Sequence, residues 1–196
     1  MGKLSPWQRW WVNAWPHRWR LFWRVPQFLK ASPEPFRGEV LEVGAGKGWT
    51  SRRILETFPQ VELTAVDVDP KVGEIFRGLS EVYGKRLHVR QADATVLPYA
   101  RDTFDFVLAI NVLRHLEKGE RQKIFTELLR VLRPGGLLGL SEAAVVRGNL
   151  DEMWEEIKRR FSEENCAVLY VSTKGGFDVW VRKEYAARAS LTETVE

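Results

Sequence analysis

A chain of 196 residues with 44% apolar and 29% charged residues is the size of one domain with a sizeable core, and its composition excludes a repeat array or a long disordered tract. The single cysteine, Cys166, excludes an internal disulfide and a multi-cysteine metal site, and His17, His88 and His115 are scattered, so no metal centre is expected. The net charge of +4 is uneven: Lys3, Arg9, Arg18, Arg20, Arg24 and Lys30 give residues 1–33 a charge of +6 with no acid, which leaves −2 for the remainder.

This basic leader also holds six of the nine tryptophans, Trp7, Trp10, Trp11, Trp15, Trp19 and Trp23. Ser5-Pro6 suits an N-cap followed by the first helical position, and Trp7, Trp11 and Trp15 recur every fourth residue. A helix is therefore predicted to begin there and to bend or restart at Pro16. Arginines interrupt every apolar run and no small-residue cleavage site follows, so neither a signal peptide nor a spanning helix is expected, and the protein is expected in the cytosol. Three uses stay open for residues 5–29: a lid or core-packing element, a peripheral membrane contact through mixed tryptophan and arginine, or stacking on single-stranded nucleic acid. Nucleic acid is the least expected partner, because no further basic patch supports it.

The first strand is predicted over 39–43, an apolar run that ends in Gly44-Ala45-Gly46-Lys47-Gly48. Glycines at alternate positions let a strand turn tightly into a helix, here predicted over 48–58, and let a ligand approach the backbone where no Cβ stands in the way. A second strand, over 61–66, leads into Asp67, which lies 23 residues beyond Gly44, near the spacing of a ribose-binding carboxylate. The glycines spell G-x-G-x-G, with Trp49 in the last position of the dinucleotide pattern. That argues against a pyrophosphate at the helix N-terminus and for an adenosine-type cofactor without phosphates.

Further along, a helix is predicted over 70–82, strands over 86–91 and 104–109, a helix over 117–132, a strand over 136–141 entered by a Pro134-Gly135-Gly136 turn, and a helix over 149–164. This is the rhythm of a parallel sheet covered on both faces. It breaks where Ala167-Val168-Leu169-Tyr170-Val171 and Phe177-Asp178-Val179-Trp180-Val181 flank Lys174-Gly175-Gly176, a pattern that predicts an antiparallel hairpin. Such an ending is unusual for a dehydrogenase. The organisation expected is an extension over 1–36, a domain over 37–184 and a tail over 185–196.

From Arg37 to Lys183 the sequence resembles the class I S-adenosylmethionine-dependent methyltransferases. The resemblance rests on Val40-Leu41-Glu42-Val43-Gly44-Ala45-Gly46-Lys47-Gly48, Ala65-Val66-Asp67, Gln91-Ala92-Asp93-Ala94, Phe104-Asp105-Phe106-Val107-Leu108-Ala109 and Leu132-Arg133-Pro134-Gly135-Gly136, in that order. It implies an α/β, Rossmann-like, doubly wound sheet of seven strands, six parallel and one antiparallel. It also implies S-adenosylmethionine as cofactor. Gly44, Ala45, Gly46 and Gly48 would bend around the methionine and ribose parts, with Glu42 helping to order that end through water. Asp67 would hold the ribose, Val68 would also line the cofactor, Asp93 would accept from the adenine amino group, and the Ala94 N–H would donate to a ring nitrogen.

After the fourth strand, Asn111 and Val112 are expected to face the methionine end, although Asn111 suits a turn cap equally well. His115 is the candidate for a general base and Arg114 for an anionic group of the substrate, should the acceptor need either; both also suit plain surface roles. The function expected is methyl transfer to a small-molecule or lipid acceptor, driven mainly by alignment. The alternatives are a binding protein that keeps the cofactor fold without turnover, an RNA methyltransferase and an NAD-dependent oxidoreductase. Oligomeric state is left open.

Overall fold

The computed structural model describes residues 24–143, 150–164, 166–172 and 176–185. The expectations for residues 1–23, the turn at 173–175 and the tail from 186 onward lie outside these residues.

Seven strands form one sheet: β1 (Gly38–Val43), β2 (Val61–Asp67), β3 (Leu87–Gln91), β4 (Phe104–Ile110), β5 (Leu132–Ala143), β6 (Cys166–Ser172) and β7 (Gly176–Lys183), in the order β3-β2-β1-β4-β5-β7-β6. β7 runs antiparallel to both β5 and β6, whereas the remaining pairs are parallel, so six strands share one direction and one opposes it. Among the described residues, the helices that lie between strands are α1 (Trp49–Thr57), α2 (Val72–Tyr83), α3 (Lys118–Val131) and α4 (Leu150–Glu163). The expected α/β doubly wound architecture is the one found.

Both faces of the sheet are covered, which is why β1, β2 and β4 read as nearly unbroken apolar runs rather than alternating ones. On one face, Ile124, Phe125 and Leu128 of α3 and Met153, Ile157 and Phe161 of α4 pack with Val107, Leu138 and Val179. On the other, Ile54 and Leu55 of α1 and Val72 and Phe76 of α2 pack with Val40, Leu63 and Phe106. α3 begins with a capping box in which Glu117 and Glu120 exchange side-chain and backbone hydrogen bonds.

Residues 24–30 form a helical segment that joins this second cluster. Phe28 stacks on Trp180 of β7 at 4.7 Å, the Trp180 Nε1–H donates to the Phe28 carbonyl at 3.2 Å, and Arg24 donates through Nε and Nη2 to Asp178. The described part of the leader is therefore core, which is one of the uses left open for it. No described helix is long and apolar enough to cross a membrane.

One expectation is corrected. Pro134-Gly135-Gly136 is not a turn ahead of the fifth strand, because β5 starts at Leu132 directly after α3. Leu132 pairs with Phe104 and Leu137 with Phe106, so the intervening residues bulge opposite Asp105. Gly135, at φ +81°, supplies the left-handed residue that the bulge needs.

Candidate functional site

The site lies at the carboxyl ends of β1, β2, β3 and β4, where the strand order reverses around β1 and open α/β sheets leave a crevice. β1 ends in Gly44, Gly46 and Gly48, all left-handed, at φ +67°, +54° and +74°. Their roles differ. A Cβ on Gly44 would stand 2.6 Å from Val112 Cγ2, and one on Gly48 would stand 2.9 Å from Leu79 and 3.0 Å from Phe76, so these two are closed in by protein. A Cβ on Gly46 would meet only the Gly44 carbonyl oxygen, at 3.9 Å. Gly46 is thus the glycine of the three with open space on its Cβ side.

The turn is held from two sides. Ala45, itself buried, donates its N–H to the Val66 carbonyl at 3.0 Å, and Gly46 donates to Asp67 Oδ2 at 2.8 Å. Asp67 Oδ1 accepts the Asp69 N–H at 2.9 Å, so the carboxylate at the end of β2 is fixed by one backbone donor on each oxygen.

Below it, Glu42 is almost wholly buried, and its Oε2 accepts the Ser51 hydroxyl at 2.5 Å. Burial pushes the Glu42 carboxyl up to about 8; the Ser51 hydrogen bond opposes the rise, the Asp67 charge adds to it and a Thr50 hydrogen bond opposes it. Glu42 thus reaches the first turn of α1 by direct contact. Ser51 was not among the expected residues, and only its place in the first turn of the helix after the glycines signals it.

Beyond β3, Asp93 is exposed and its Oδ1 accepts both the Thr95 N–H and the Thr95 hydroxyl, each at 2.8 Å. That is the capping arrangement of an Asx turn. Ala94 is buried beside it, and Val68 is exposed at the end of β2 with its carbonyl accepting from Gln91 Nε2 at 3.3 Å. Asp67 and Asp93 are linked through the backbone, since Ala92 donates to the Asp67 carbonyl at 3.0 Å.

The loop after β4 is tied to β5 more than to the crevice. Asn111 is left-handed at φ +57°, donates its N–H to the Ser141 carbonyl at 2.7 Å and accepts the Ala143 N–H on Oδ1 at 3.0 Å. These are the bonds of the turn cap that its position also suited. Val112 does face the glycine turn, against Gly44.

Arg114 is mostly buried, donates to the Ala143 carbonyl and to His115 Nε2, both at 3.3 Å, and lies 3.9 Å from Glu142. Burial, then the Arg114 charge, push His115 down to about 4. A neutral imidazole with Nε2 already occupied is a poor proton acceptor, and Arg114 is spent on internal partners. Both candidate side chains are thus engaged with neighbouring protein groups. Sequence reasoning missed Glu142, the buried acid on which this loop rests; an acid inside the apolar run Leu137–Ala143 was its signal.

Residues 40–136 match the family described as a methyltransferase domain. The chain is 30% identical over 154 residues to the erythromycin 3''-O-methyltransferase of Saccharopolyspora erythraea, covering 76% of this chain and 48% of that protein. It is 31% identical over 128 residues to the tRNA N(3)-methylcytidine methyltransferase of Drosophila melanogaster, covering 59% and 39%. The chain thus spans about half the length, or less, of the curated relatives it matches. Among solved structures, a SAM-dependent methyltransferase from Aquifex aeolicus superposes with a TM-score of 0.72 at 21% identity, covering 92% of this chain and all of that one, a likeness of fold. The chain carries a methyltransferase domain of the class I S-adenosylmethionine-dependent family.

Proposed function

We propose that this chain binds S-adenosylmethionine across the carboxyl ends of β1, β2 and β3 and transfers a methyl group to a small-molecule acceptor, lipids included. The observation that carries the reading is the Asp67 carboxylate, which takes the Gly46 N–H at 2.8 Å and so stands beside a glycine turn with an open backbone. Each of its oxygens accepts one backbone donor, which leaves lone pairs for the two ribose hydroxyls. The open side of Gly46 is a cradle that any Cβ would enter, and the exposed Asp93 carboxylate is an acceptor of the kind an adenine amino group needs. These residues fit the cofactor.

When bound, the cofactor supplies an electrophilic methyl carbon. The chain's own task is to align an acceptor with it and exclude water. His115 and Arg114 engage each other and β5, which favours catalysis by alignment over proton abstraction at this loop. The −2 charge of the chain beyond residue 33 offers no cationic excess for a polyanion, and this supports a small acceptor over RNA.

Calorimetry with S-adenosylhomocysteine tests the reading. The intact protein is expected to bind it, and Asp67→Ala to weaken binding by about tenfold or more, the loss of a charged acceptor and of the Gly46 anchor together. Intact protein that binds nothing overturns the proposal. A binding protein without turnover is the second reading, favoured by the engaged His115. Labelled methyl transfer to a panel of hydroxylated, amino and lipid acceptors separates the two.

A further inference from the structure

We infer that Glu142 is a positioning residue for methyl transfer: its buried carboxylate gathers the backbone N–H groups that open the loop after β4 and so holds Val112 against the glycine turn. The inference rests on the function proposed above. Glu142 lies near the end of β5, fully buried, and its Oε1 accepts the Leu113 N–H at 2.6 Å. The backbone N–H groups of Val112 and Arg114 also favour the charged form of this carboxylate. Leu113–His115 is a single helical turn, whose first N–H groups have no acceptor within the turn.

An apolar residue at 142 would leave the buried Leu113 N–H without this acceptor. Burying a carboxylate is otherwise costly, and a hydrophobic side chain would fill the same space at lower cost. The carboxylate is therefore retained for what it holds. On either side of it, Asn111 is tied to Ser141 and Ala143, so the strand grips the loop at successive residues. The loop in turn carries Val112, whose methyl group would stand 2.6 Å from any Cβ at Gly44.

Glu142 Oε2 has no hydrogen-bond partner among the described residues, and Arg114 Nε lies 3.9 Å from it. Burial pushes the carboxyl up to about 7, against the pull of Arg114 and of the three backbone donors. The other charges on neighbouring elements are engaged elsewhere. Asp178 on β7 accepts from Arg24 and Ser141, Arg24 acts on Arg114, Glu156 on α4 accepts from Arg121, and His115 accepts from Arg114. The carboxylate, being charged, is the stronger acceptor for the loop; its protonation weakens the grip.

The test compares S-adenosylhomocysteine affinity of the intact protein and of Glu142→Gln, which keeps the shape but cannot ionise. The two are expected to bind alike near about pH 6, and the intact protein about fivefold more tightly near about pH 8.5, where only it carries the charge. An affinity ratio that does not change with pH overturns the inference, whereas intact protein that binds at neither pH overturns the proposed function. A ligand-free readout stands beside it. After correction for intrinsic rates, exchange protection of the Leu113 amide in the intact protein is expected to rise across this range relative to that of Leu41 in β1. Equal pH dependence of the two amides also overturns it.

Discussion

The Ser51 hydroxyl donates to Glu42 Oε2 at 2.5 Å, which joins the end of strand β1 to the first turn of α1. Because Glu42 holds its proton up to about pH 8, against an ordinary 4.5, the folded state binds a proton that the unfolded chain has already released in between. Stability is then fully present below the ordinary value and falls as pH rises towards the folded one. Thermal melts of the ligand-free protein are expected to show this fall, and Glu42→Gln to remove a part worth a few kcal/mol, on the order of the shift itself. Glu142, raised to about 7, accounts for some of what remains. Identical pH slopes for the two proteins would sink this account of Glu42.

Gly44 and Gly46 share a left-handed backbone yet should answer differently to alanine. Gly44→Ala forces a methyl into Val112, so a loss of about 2 kcal/mol or more in denaturant melts is expected. Gly46→Ala carries only the backbone strain, about 1 kcal/mol, but its methyl occupies the open side of the turn. It is expected to stay folded and to lose S-adenosylhomocysteine binding. Gly46→Ala that binds normally would move the ligand away from this turn.

Phe28 and Trp180 predict that the leader's described helix is part of the cooperative unit. Phe28→Ala removes a fully buried ring stacked on the indole, for an expected cost of about 3–5 kcal/mol. Trp180→Phe keeps a ring and loses the Nε1 donor to the Phe28 carbonyl, so a loss of about 1 kcal/mol is expected. Unfolding followed by tryptophan fluorescence and by circular dichroism should remain a single coincident transition in both variants; two separated transitions would show the helix to be an independent unit.

The sheet was legible in the sequence because most strands, β3 (Leu-His-Val-Arg-Gln) excepted, are apolar runs bounded by turn signals, and Gly44, Gly46, Gly48 and Asp67 were legible because their chemistry falls at a readable spacing. Pro134-Gly135-Gly136 misled, since the residues that make a turn also make a bulge, and only the partner strand decides between them. Asn111 and His115 were placed correctly after β4, but their side chains turn to Ala143 and Arg114, partners that no local pattern reveals. Glu142 went unread for the same reason: its donors come from a loop 29 residues earlier.

The position of β7 between β5 and β6 has a consequence for how the molecule is made. β6 precedes β7 in the chain but is joined to the sheet only through it, so β6 has no neighbour to pair with until β7 has been synthesised. Until then the β5 flank is an open edge, and Phe28 lacks the indole on which it rests. A ribosome-bound chain that ends short of Gly176 would expose both, and chaperone capture of such nascent chains should cease abruptly once Trp180 has cleared the exit tunnel.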